Sequence, residues 1–396
     1  MDSKIYIIDA LRTPFGKFCG KLKHIDYYEL GAILLTEMFG RQEKIKRSMV
    51  DEVFWGVGDT SVCKDVYTPL ADRQTLLMAG FPSSIISTSI ERACVSSMTA
   101  IRFGFDAIRS KRARCVLGGG TTSFSREPYI LRGVRGKNNK LGDFKLEDPL
   151  FELGYKNYGT MAGQADNLAI EYGINRYSQD VYAYRSHEKY RQAMLNGKLN
   201  IEFMNLFCNK EDNFDEQFRL TISMKELSEL KPIYGTKTIT AGNSPGLNDG
   251  AAAVLIASEG FIKEFNIEPI AEIIDMITIA TNPDRTPEAP AIAVEKILLK
   301  NSLDLNHVSF FEINEAFSAV VLVSLNRLFG DRCLDDYITG KVNVNGGAIA
   351  IGHPNTASGA RIMMTAAHEL KRREHGIAVC SIGGALGIAD ACILRT

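Results

Sequence analysis

One plan of elements occurs twice in this 396-residue chain, and it limits the fold more than any other feature. In the first copy, a strand pattern at residues 84–90 precedes a short loop, a segment of helical period and a strand that runs into glycines 118–120. In the second copy, residues 341–344 precede a glycine-rich loop, a second helical segment and a strand that reaches glycines 383–384. The repetition predicts two similar α/β halves related by a pseudo-twofold axis.

Both helical segments carry apolar residues at the three- and four-residue spacing of a buried helix face. These residues are Met98, Ile101, Phe105 and Ile108 in the first copy and Ile362, Met363, Ala366 and Leu370 in the second. Each segment ends in a cluster of cations, as expected where the helix dipole is negative. The loops before the helices carry Cys94 and His353 at corresponding positions. The predicted axis would therefore bring these two side chains together.

Composition and charge exclude several classes of protein. The chain has 45% apolar and 23% charged residues, and its 46 Lys+Arg nearly balance 47 Asp+Glu, which is typical of a globular protein without a polyanion-binding field. Its apolar runs are shorter than the roughly 18 residues of a membrane span. The eight cysteines contain no C-x-x-C pair, and the strand-like N-terminus lacks an export signal. These features predict a cytoplasmic protein with reduced thiols that binds no nucleic acid.

Cys94 and His353 are the candidates for nucleophilic chemistry. Cys94 precedes a helix, where unpaired backbone N–H groups and the positive dipole end favour a thiolate over a thiol. His353 lies in a glycine-rich loop beside Pro354, and a cysteine and a histidine from distant loops form a common nucleophilic pair. The ordinary alternatives are a buried apolar cysteine and a surface or core histidine. The buried role is the interpretation for Cys63, Cys208 and Cys333.

Several longer strings resemble those of the thiolase family. They are residues 12–18, residues 241–253, the motif Asn314-Glu315-Ala316-Phe317 and residues 346–361. The resemblance covers nearly the whole chain. It implies an α/β fold in five layers, α-β-α-β-α, with two pseudo-twofold-related halves and an inserted loop domain. It also implies acyl transfer to and from coenzyme A through a cysteine thioester, and assembly as a homodimer or homotetramer.

The same resemblance implies a domain organisation. Residues 1–123 and 241–268 would form the N-terminal half, which carries the nucleophile. Residues 269–396 would form the C-terminal half. Residues 124–240 differ in character, with many charged and aromatic side chains, and would form the inserted loop domain that binds coenzyme A and makes oligomer contacts.

The resemblance also implies roles for the candidate catalytic residues. Cys94 would be the acylated nucleophile and His353 the base that takes its proton. Asn314 would hold a water that, with His353, stabilises the enolate oxygen of the thioester. The backbone N–H groups of Cys94 and Gly383 would form a second oxyanion hole for the tetrahedral intermediates of the acyl-enzyme.

One position departs from the family pattern. The family uses a second cysteine, just before a glycine run, to move the proton at the α-carbon of acetyl-CoA. Counting back from glycines 383–384 places Ser381 in that register, with Cys380 one residue earlier. Adjacent strand residues point to opposite faces, so Cys380 can serve only if a bulge precedes Gly383. A serine hydroxyl is a much weaker base than a thiolate, so Ser381 predicts slow Claisen chemistry with thioester formation retained.

Three residues are candidate contacts for coenzyme A, which the family uses as a substrate and not as a permanently bound cofactor. Arg219 resembles an arginine that stacks on the adenine, with ion pairing to Asp215 on a solvated helix as its alternative. Ser244 neighbours a family contact to pantetheine, where Pro245 replaces the usual serine. Met161 matches a stretch that lines the substrate site.

The function implied is thiolytic cleavage of 3-ketoacyl-CoA, as in fatty acid metabolism, or the reverse Claisen condensation with acetyl-CoA. Two alternatives follow from Ser381: acyl transfer without carbon–carbon bond chemistry, and a catalytically weakened acyl-CoA-binding protein. The glycine strings lack the G-x-G-x-x-G spacing of nicotinamide enzymes, and no P-loop or zinc-ligand pattern is present. Acylation of Cys94 separates the two alternatives.

Overall fold

A computed structural model describes residues 4–58, 70–131, 143, 145–151, 154–206, 214–330 and 340–396 of the chain. Cys63, Cys208 and Cys333, for which the sequence predicts a buried role, lie outside these residues. In the part that the structure describes, no helix combines the length and the apolar character needed to cross a bilayer.

The described elements alternate along the chain. The strands are β1 (Ile5–Arg12), β2 (Gly16–Lys17), β3 (Glu52–Val57), β4 (Ile86–Ile90), β5 (Cys115–Thr122), β6 (Ile130–Leu131), β7 (Leu146–Glu147), β8 (Gly154–Tyr155), β9 (Gly159–Thr160), β10 (Asn248–Ser258), β11 (Ala271–Ala280), β12 (Phe310–Ile313), β13 (Ile377–Gly383) and β14 (Ile388–Arg395). The α-helices are α1 (Tyr27–Gly40), α2 (Ala71–Met78), α3 (Ser96–Arg109), α4 (Met161–Glu171), α5 (Arg176–Leu195), α6 (Met224–Glu229), α7 (Glu259–Glu264), α8 (Ala289–Lys300), α9 (Ser318–Phe329), α10 (Ala348–Ile351) and α11 (Asn355–Arg373). Short 3-10 helices lie at Arg47–Met49, Ala93–Val95, Phe124–Arg126, Pro283–Glu288 and Leu305–His307.

The large sheet is symmetric about its centre. Its strand order is β12-β13-β14-β11-β1-β10-β5-β3-β4, and β1 and β11 are a central antiparallel pair. On one side, β10 and β5 continue antiparallel and β3 joins β5 in parallel. On the other side, β14 and β13 continue antiparallel and β12 joins β13 in parallel. This repetition confirms the two similar halves that the sequence predicts.

The halves are arranged as five layers. Helices α3 and α11 pack against each other and lie in one core with strands of both halves. Helices α1 and α2 share a second core with the opposite face of the N-terminal strands. Helices α8 and α9 share a third core with the opposite face of the C-terminal strands. The α-β-α-β-α order confirms the predicted fold class.

The structure contains every helix and strand predicted for the two copies of the repeat except one strand. The predicted helices are α3 and α11, and the predicted strands that follow them are β5 and β13. The predicted strand at 341–344 is wrong, because this segment makes only one parallel bridge, between Val342 and Phe311. Asn343 has a left-handed backbone with φ of 48°, and its buried amide bonds the backbone of Ile313. Extended pairing therefore stops after a single bridge.

Close packing explains the glycine run in β5. A Cβ atom at Gly120 would lie 2.2 Å from the carbonyl oxygen of Thr356, at the start of α11. The run therefore lets a helix from the C-terminal half approach a strand of the N-terminal half. The segment 124–240 contributes α4 and α5, which pack against α9 of the C-terminal half. The domain boundaries stay a prediction.

Candidate active site

Cys94 lies in a tight turn between β4 and α3. The turn is the 3-10 helix Ala93–Val95, and Ala93 has a left-handed φ of 50°. The backbone N–H of Arg92 donates to Ser96 Oγ at 2.9 Å, and this hydroxyl donates to the carbonyl of Ala93 at 2.6 Å. These bonds cross the turn and hold Cys94 at the entrance to the buried helix.

His353 is held by a second unusual backbone. Gly352 has φ of 109°, which only glycine adopts readily, and a Cβ atom there would lie 2.8 Å from Asn248 Cγ. The backbone N–H of His353 donates to Asn248 Oδ1 at 2.9 Å. Pro354 follows and caps α11. The glycine, the asparagine and the proline together fix where the imidazole leaves the chain.

The structure brings Cys94 and His353 together, as the sequence predicts. Cys94 Sγ lies 3.1 Å from His353 Nε2, and His353 Nδ1 lies 2.7 Å from Ser358 Oγ. Ser358 Oγ also donates to the carbonyl of Pro354 at 3.1 Å, so it accepts from the imidazole. Nδ1 therefore carries the proton, and Nε2 presents a lone pair to the thiol. This is the tautomer that a general base requires.

The resting pair is neutral, which corrects the expectation of a thiolate. Burial raises the pKa of the Cys94 thiol to about 12, and the carboxylate of Glu91 acts in the same direction. Burial also lowers the pKa of His353 to about 3, helped by the nearby charge of Arg361. Desolvation thus outweighs the helix N-terminus, because both ionised forms lose hydration in this site. The thiol keeps its proton until a reaction removes it.

Asn314 follows β12 and has a buried side chain whose amide is unsatisfied. Its backbone N–H donates to the carbonyl of Ser381 at 3.0 Å, which joins β12 to β13. Neither Nδ2 nor Oδ1 of the side chain has a hydrogen-bond partner among the described residues, although Asn314 is 1% exposed. A buried amide normally has partners, so this group is suited to bind a water or a ligand oxygen.

Glu315 is a structural residue that sequence reasoning did not assign. Its carboxylate accepts from Tyr182 and Ser186 of α5, both at 2.8 Å. It also accepts from Asn343 at 2.9 Å and from the backbone of Ile349 at 3.0 Å. Glu315 therefore ties the segment 124–240 to the loop that leads to His353.

Cys380 lies in the core between the two halves. The ladder from β13 to β14 runs without a register shift, so there is no bulge before Gly383. Cys380 pairs with Cys392 across the strands, and its thiol lies 3.7 Å from the carbonyl of Ile362. Burial raises its pKa well above the ordinary value. The condition under which Cys380 could serve as the second catalytic cysteine is therefore not met.

Ser381 points to the opposite face of β13, toward α8. Its hydroxyl lies 3.0 Å from the carbonyl of Pro290 and 3.2 Å from that of Asp390. Two carbonyls thus compete for its one proton, and the residue is fully buried. Gly383 ends the same strand, and a Cβ atom there would approach Pro290 to 3.2 Å.

The candidate contacts for coenzyme A lie on segments other than the two loops that carry Cys94 and His353. Arg219 is exposed, and its backbone N–H lies 3.5 Å from His187 Nδ1. The alternative in which Asp215 pairs with Arg219 on a helix is wrong, because Asp215 binds Arg12 at 2.7 and 3.0 Å and this segment is not helical. Arg12 is fully buried, so Asp215 is needed there to neutralise it.

Ser244 and Met161 occupy the ends of connecting segments. Ser244 is buried and donates to the carbonyl of Thr240 at 2.7 Å. Met161 is the first residue of α4 and is half-buried. In the part of the chain that the structure describes, no hydrogen bond joins Arg219, Ser244 or Met161 to Cys94 or His353.

Sequence reasoning missed Ser358 and Asn248, both of which position His353. Ser358 lies five residues after His353, in the first turns of α11. Its short separation from His353 in the sequence could have indicated a hydroxyl close to the imidazole. Asn248 lies in the string 241–253 but far from His353 in the chain, and only the fold brings them together.

Comparisons with known proteins agree with this geometry. The family model described as the thiolase N-terminal domain matches residues 5–260, and the one described as the thiolase C-terminal domain matches residues 267–396. A beta-ketoadipyl-CoA thiolase from Acinetobacter baylyi is 34% identical over 97% of this chain and 98% of that protein. An acetyl-CoA acetyltransferase from Cupriavidus necator is 35% identical over 98% of both chains.

Solved structures give the same result. The crystal structure of human mitochondrial 3-ketoacyl-CoA thiolase matches with a TM-score of 0.92 and 33% identity, covering 100% of this chain and 99% of that one. The same human enzyme in complex with CoA matches with a TM-score of 0.91 and 33% identity, covering 100% and 98%. By its two family models, its relatives and its fold, the chain belongs to the thiolase family of CoA-dependent acyltransferases.

Proposed function

We propose that the protein cleaves 3-ketoacyl-CoA with free CoA, or runs the reverse Claisen condensation, through a thioester on Cys94. The observation that carries this proposal is the 3.1 Å contact between Cys94 Sγ and the acceptor nitrogen of His353. The two groups come from opposite halves of the fold, at the ends of the central helices α3 and α11. Membership of the thiolase family supplies the class of substrate.

In the first step the sulfur of Cys94 attacks the 3-keto carbon, and His353 Nε2 takes the thiol proton. Because the resting pair is neutral, the proton moves during the attack and not before it. The carbonyl oxygen becomes an oxyanion, for which the backbone N–H groups of Cys94 and Gly383 are the proposed donors. Their positions, at a turn and at a strand end, support this role.

In the second step the bond between C2 and C3 breaks. Its electron pair leaves with the acetyl-CoA fragment as an enolate, and the remaining acyl group stays on Cys94. The protonated imidazole of His353 and a water on Asn314 are the proposed donors to the enolate oxygen. The unpartnered, buried amide of Asn314 supports this assignment.

The proton that His353 took from Cys94 must then reach the enolate carbon, which gives acetyl-CoA and leaves the imidazole free to act as a base in the last step. Ser381 occupies the register of the family's second cysteine, and its own proton is engaged by the carbonyls of Pro290 and Asp390. A hydroxyl in this position is a poor proton donor and a poor base. We therefore expect this proton transfer to limit the rate in both directions.

The last step regenerates the enzyme. The thiol of a second CoA attacks the thioester carbonyl, its proton passes to His353, and acyl-CoA leaves as the proton returns to Cys94. No group in this step depends on position 381. Acyl exchange between CoA and Cys94 should therefore be faster than carbon–carbon cleavage.

An open cleft supports binding of CoA near Arg219. It has a volume of about 630 Å³ and lies between α5 and the segment 220–229, directly after Arg219 in the chain. Arg191, Lys225 and three glutamates line it, and because Arg191 is paired with Glu188, Lys225 is the cation placed to meet a phosphate oxygen. Ser244 and Met161 would then contact the pantetheine arm and the acyl group between this cleft and Cys94.

Family membership also supports a proposal for the substrate class, assembly and metabolic setting of the protein. The relatives are named for β-ketoadipyl-CoA, acetyl-CoA and 3-ketoacyl-CoA chemistry, so a 3-ketoacyl thioester is the shared substrate class. We infer a homodimer or homotetramer in the cytoplasm that acts in fatty acid or related acyl-CoA metabolism. The alternatives without carbon–carbon chemistry rest on Ser381 alone and are less favoured.

The test is thiolysis of acetoacetyl-CoA and of a longer 3-ketoacyl-CoA with free CoA, with the intact mass of the protein recorded. We expect an acyl mass that disappears in Cys94→Ala, together with acetyl-CoA as a product. An acyl mass without any thiolysis product would instead establish acyl transfer alone. No acyl mass with either substrate would leave a binding protein and overturn the proposal.

A further inference from the structure

A buried polar cluster adjoins the turn that carries Cys94. It consists of Arg92, Thr99, Thr278 and Asp390, and we call it the Asp390 cluster. Arg92 directly precedes the turn and Thr99 lies in α3, whereas Thr278 and Asp390 lie in β11 and β14 of the C-terminal half. Thr99 and Asp390 are fully buried. The cluster therefore joins the nucleophile turn to the other half of the fold.

The donors in this cluster all converge on the carboxylate. Arg92 Nη1 donates to Thr99 Oγ1 at 2.7 Å, and this hydroxyl donates to Asp390 Oδ2 at 2.5 Å. Thr278 Oγ1 donates to Asp390 Oδ1 at 2.6 Å, and Arg92 Nη1 lies 3.4 Å from the same oxygen. These bonds satisfy an ionised aspartate and pair its charge with the arginine. Removing either partner leaves the other without its counter-charge.

The main chain connects Arg92 to the reactive thiol. Arg92 lies two residues before Cys94, and its N–H begins the chain of bonds through Ser96 Oγ to the carbonyl of Ala93. The left-handed φ of 50° at Ala93 is unfavourable for a residue that carries a side chain. A backbone of this kind persists only where its surroundings hold it in place. The side chain of Arg92, bound to Thr99 at 2.7 Å and lying 3.4 Å from Asp390, is one such restraint.

Asp390 also contacts the region of the second catalytic position. Its backbone carbonyl lies 3.2 Å from the hydroxyl of Ser381. The same residue thus touches the nucleophile turn through its side chain and the Ser381 strand through its main chain. Because the carboxylate is fully buried among Thr99, Thr278 and Arg92, it is placed to restrain these elements and not to touch substrate.

We propose that Arg92 and Asp390 are positioning residues that hold the Cys94 turn in its reactive conformation through the Asp390 cluster. The inference rests on the proposed thioester at Cys94. It predicts that disrupting the cluster slows acylation of Cys94 while leaving the binding of acyl-CoA unchanged. Small displacements of a nucleophile reduce the rate steeply, since reacting atoms must approach to about 3–3.5 Å.

The experiment compares wild type with Arg92→Met, Asp390→Asn, the double variant and Arg92→Lys. The acylation rate of Cys94 by acetyl-CoA is measured by rapid quench and intact mass across a range of acetyl-CoA concentrations. We expect the maximal rate to fall roughly tenfold or more in both single variants, with half-saturation unchanged. The double variant should be no slower than either single variant, since the two residues act as one unit. Arg92→Lys should recover part of the rate.

A matched control comes from the same helix. Arg109 ends α3, and its side chain is 50% exposed and lies 3.9 Å from Asp275, outside the Asp390 cluster, so Arg109→Met should acylate as wild type does. Thermal unfolding of each variant separates loss of positioning from loss of fold. If Asp390→Asn does not fold, Arg92→Met still decides, because the Arg92 side chain is 24% exposed and Asp390 keeps the hydrogen bonds from Thr99 and Thr278.

Three outcomes would overturn the inference. Acylation of Arg92→Met within about twofold of wild type would show that the turn needs no such restraint. Effects that multiply in the double variant would show that the residues act separately. An absence of acyl mass on wild type would overturn the proposed function itself, which the other two results leave intact.

Discussion

The turn at Cys94 and the strand at Cys380 carry the same side chain in opposite circumstances. Burial raises the pKa of both thiols, so neither is a thiolate at rest. Cys94 lies in an irregular turn, half-buried, with the acceptor nitrogen of His353 at 3.1 Å. Cys380 lies in a regular ladder, fully buried, beside Cys392 and a backbone carbonyl. The comparison shows what makes one of two buried thiols a nucleophile. A neighbouring base and an accessible position in an irregular turn suffice, and a low pKa of the resting thiol is not required.

The largest effect should separate these two cysteines. Cys94→Ala removes the acyl acceptor, so thiolysis should fall by roughly 10⁴-fold or more and the acyl mass should vanish. Cys380→Ala removes a buried sulfur, so it should keep most activity and lose about 1–2 kcal/mol of stability. Thiolysis rates, intact mass and denaturant unfolding of the two variants check this. A Cys380→Ala variant as inactive as Cys94→Ala, yet stably folded, would contradict the comparison.

The next effect concerns the residue beside Cys380. Ser381→Cys places a thiol on the face of β13 toward α8, in the register that the family resemblance assigns to the second cysteine, and we expect it to move the proton at the α-carbon. General acid–base catalysis is worth about 10²–10⁴-fold, so we expect the rate of acetoacetyl-CoA cleavage to rise on the order of 10²-fold.

The acyl exchange between CoA and Cys94 serves as the internal control for Ser381→Cys. It does not use position 381, so its rate should stay within about twofold of wild type. Ser381→Ala is the matched variant and should leave slow cleavage unchanged. A large loss of cleavage in Ser381→Ala would show that the native hydroxyl already carries the proton.

The two similar halves and the reactive pair were predictable from local patterns, whereas the five-layer order was implied by the resemblance to the thiolase family. Strand and helix periods identified both copies of the repeated plan, and the symmetry then predicted that Cys94 and His353 meet. The pattern failed at 341–344, where the alternating Lys-Val-Asn-Val string favours a strand but Asn343 has a left-handed backbone. Propensity alone does not reveal a backbone that tertiary hydrogen bonds impose.

The remaining site features depend on burial and long-range contacts. The neutral state of the pair could not be predicted, because the helix N-terminus is visible in the sequence whereas the desolvation of Cys94 is not. The ion pair between Arg12 and Asp215 likewise joins residues about 200 positions apart in the chain, so the sequence alone does not reveal it. The register of Ser381 was predictable by counting from the glycines, and the regular ladder of β13 agrees with that count.

A smaller effect on the acylation rate should follow from removing the hydrogen bond that orients His353. Ser358→Ala removes the acceptor of His353 Nδ1–H, so the imidazole can rotate or change tautomer and present a proton to the thiol. We expect acylation of Cys94 to slow on the order of tenfold without a change in affinity for acyl-CoA. Ser358→Thr keeps a hydroxyl and should stay near wild type. Equal rates in Ser358→Ala and wild type would show that the Gly352–Pro354 backbone alone fixes the imidazole.

The smallest effect tests the neutral pair through stability in acid. The pKa of His353 is lowered to about 3 in the folded protein, against an ordinary value of about 6.5. Below pH 6.5 the unfolded chain therefore takes up a proton that the folded protein refuses until about pH 3, and the contribution of this group to stability is lost across that window. His353→Gln removes this proton uptake. The free energy of unfolding of the variant should then fall less steeply with decreasing pH, by up to about 1.4 kcal/mol per pH unit, in urea titrations between pH 4 and 6. Parallel slopes for variant and wild type would mean that folding does not lower the pKa of His353, and Cys94 would then face an imidazolium below about pH 6.5.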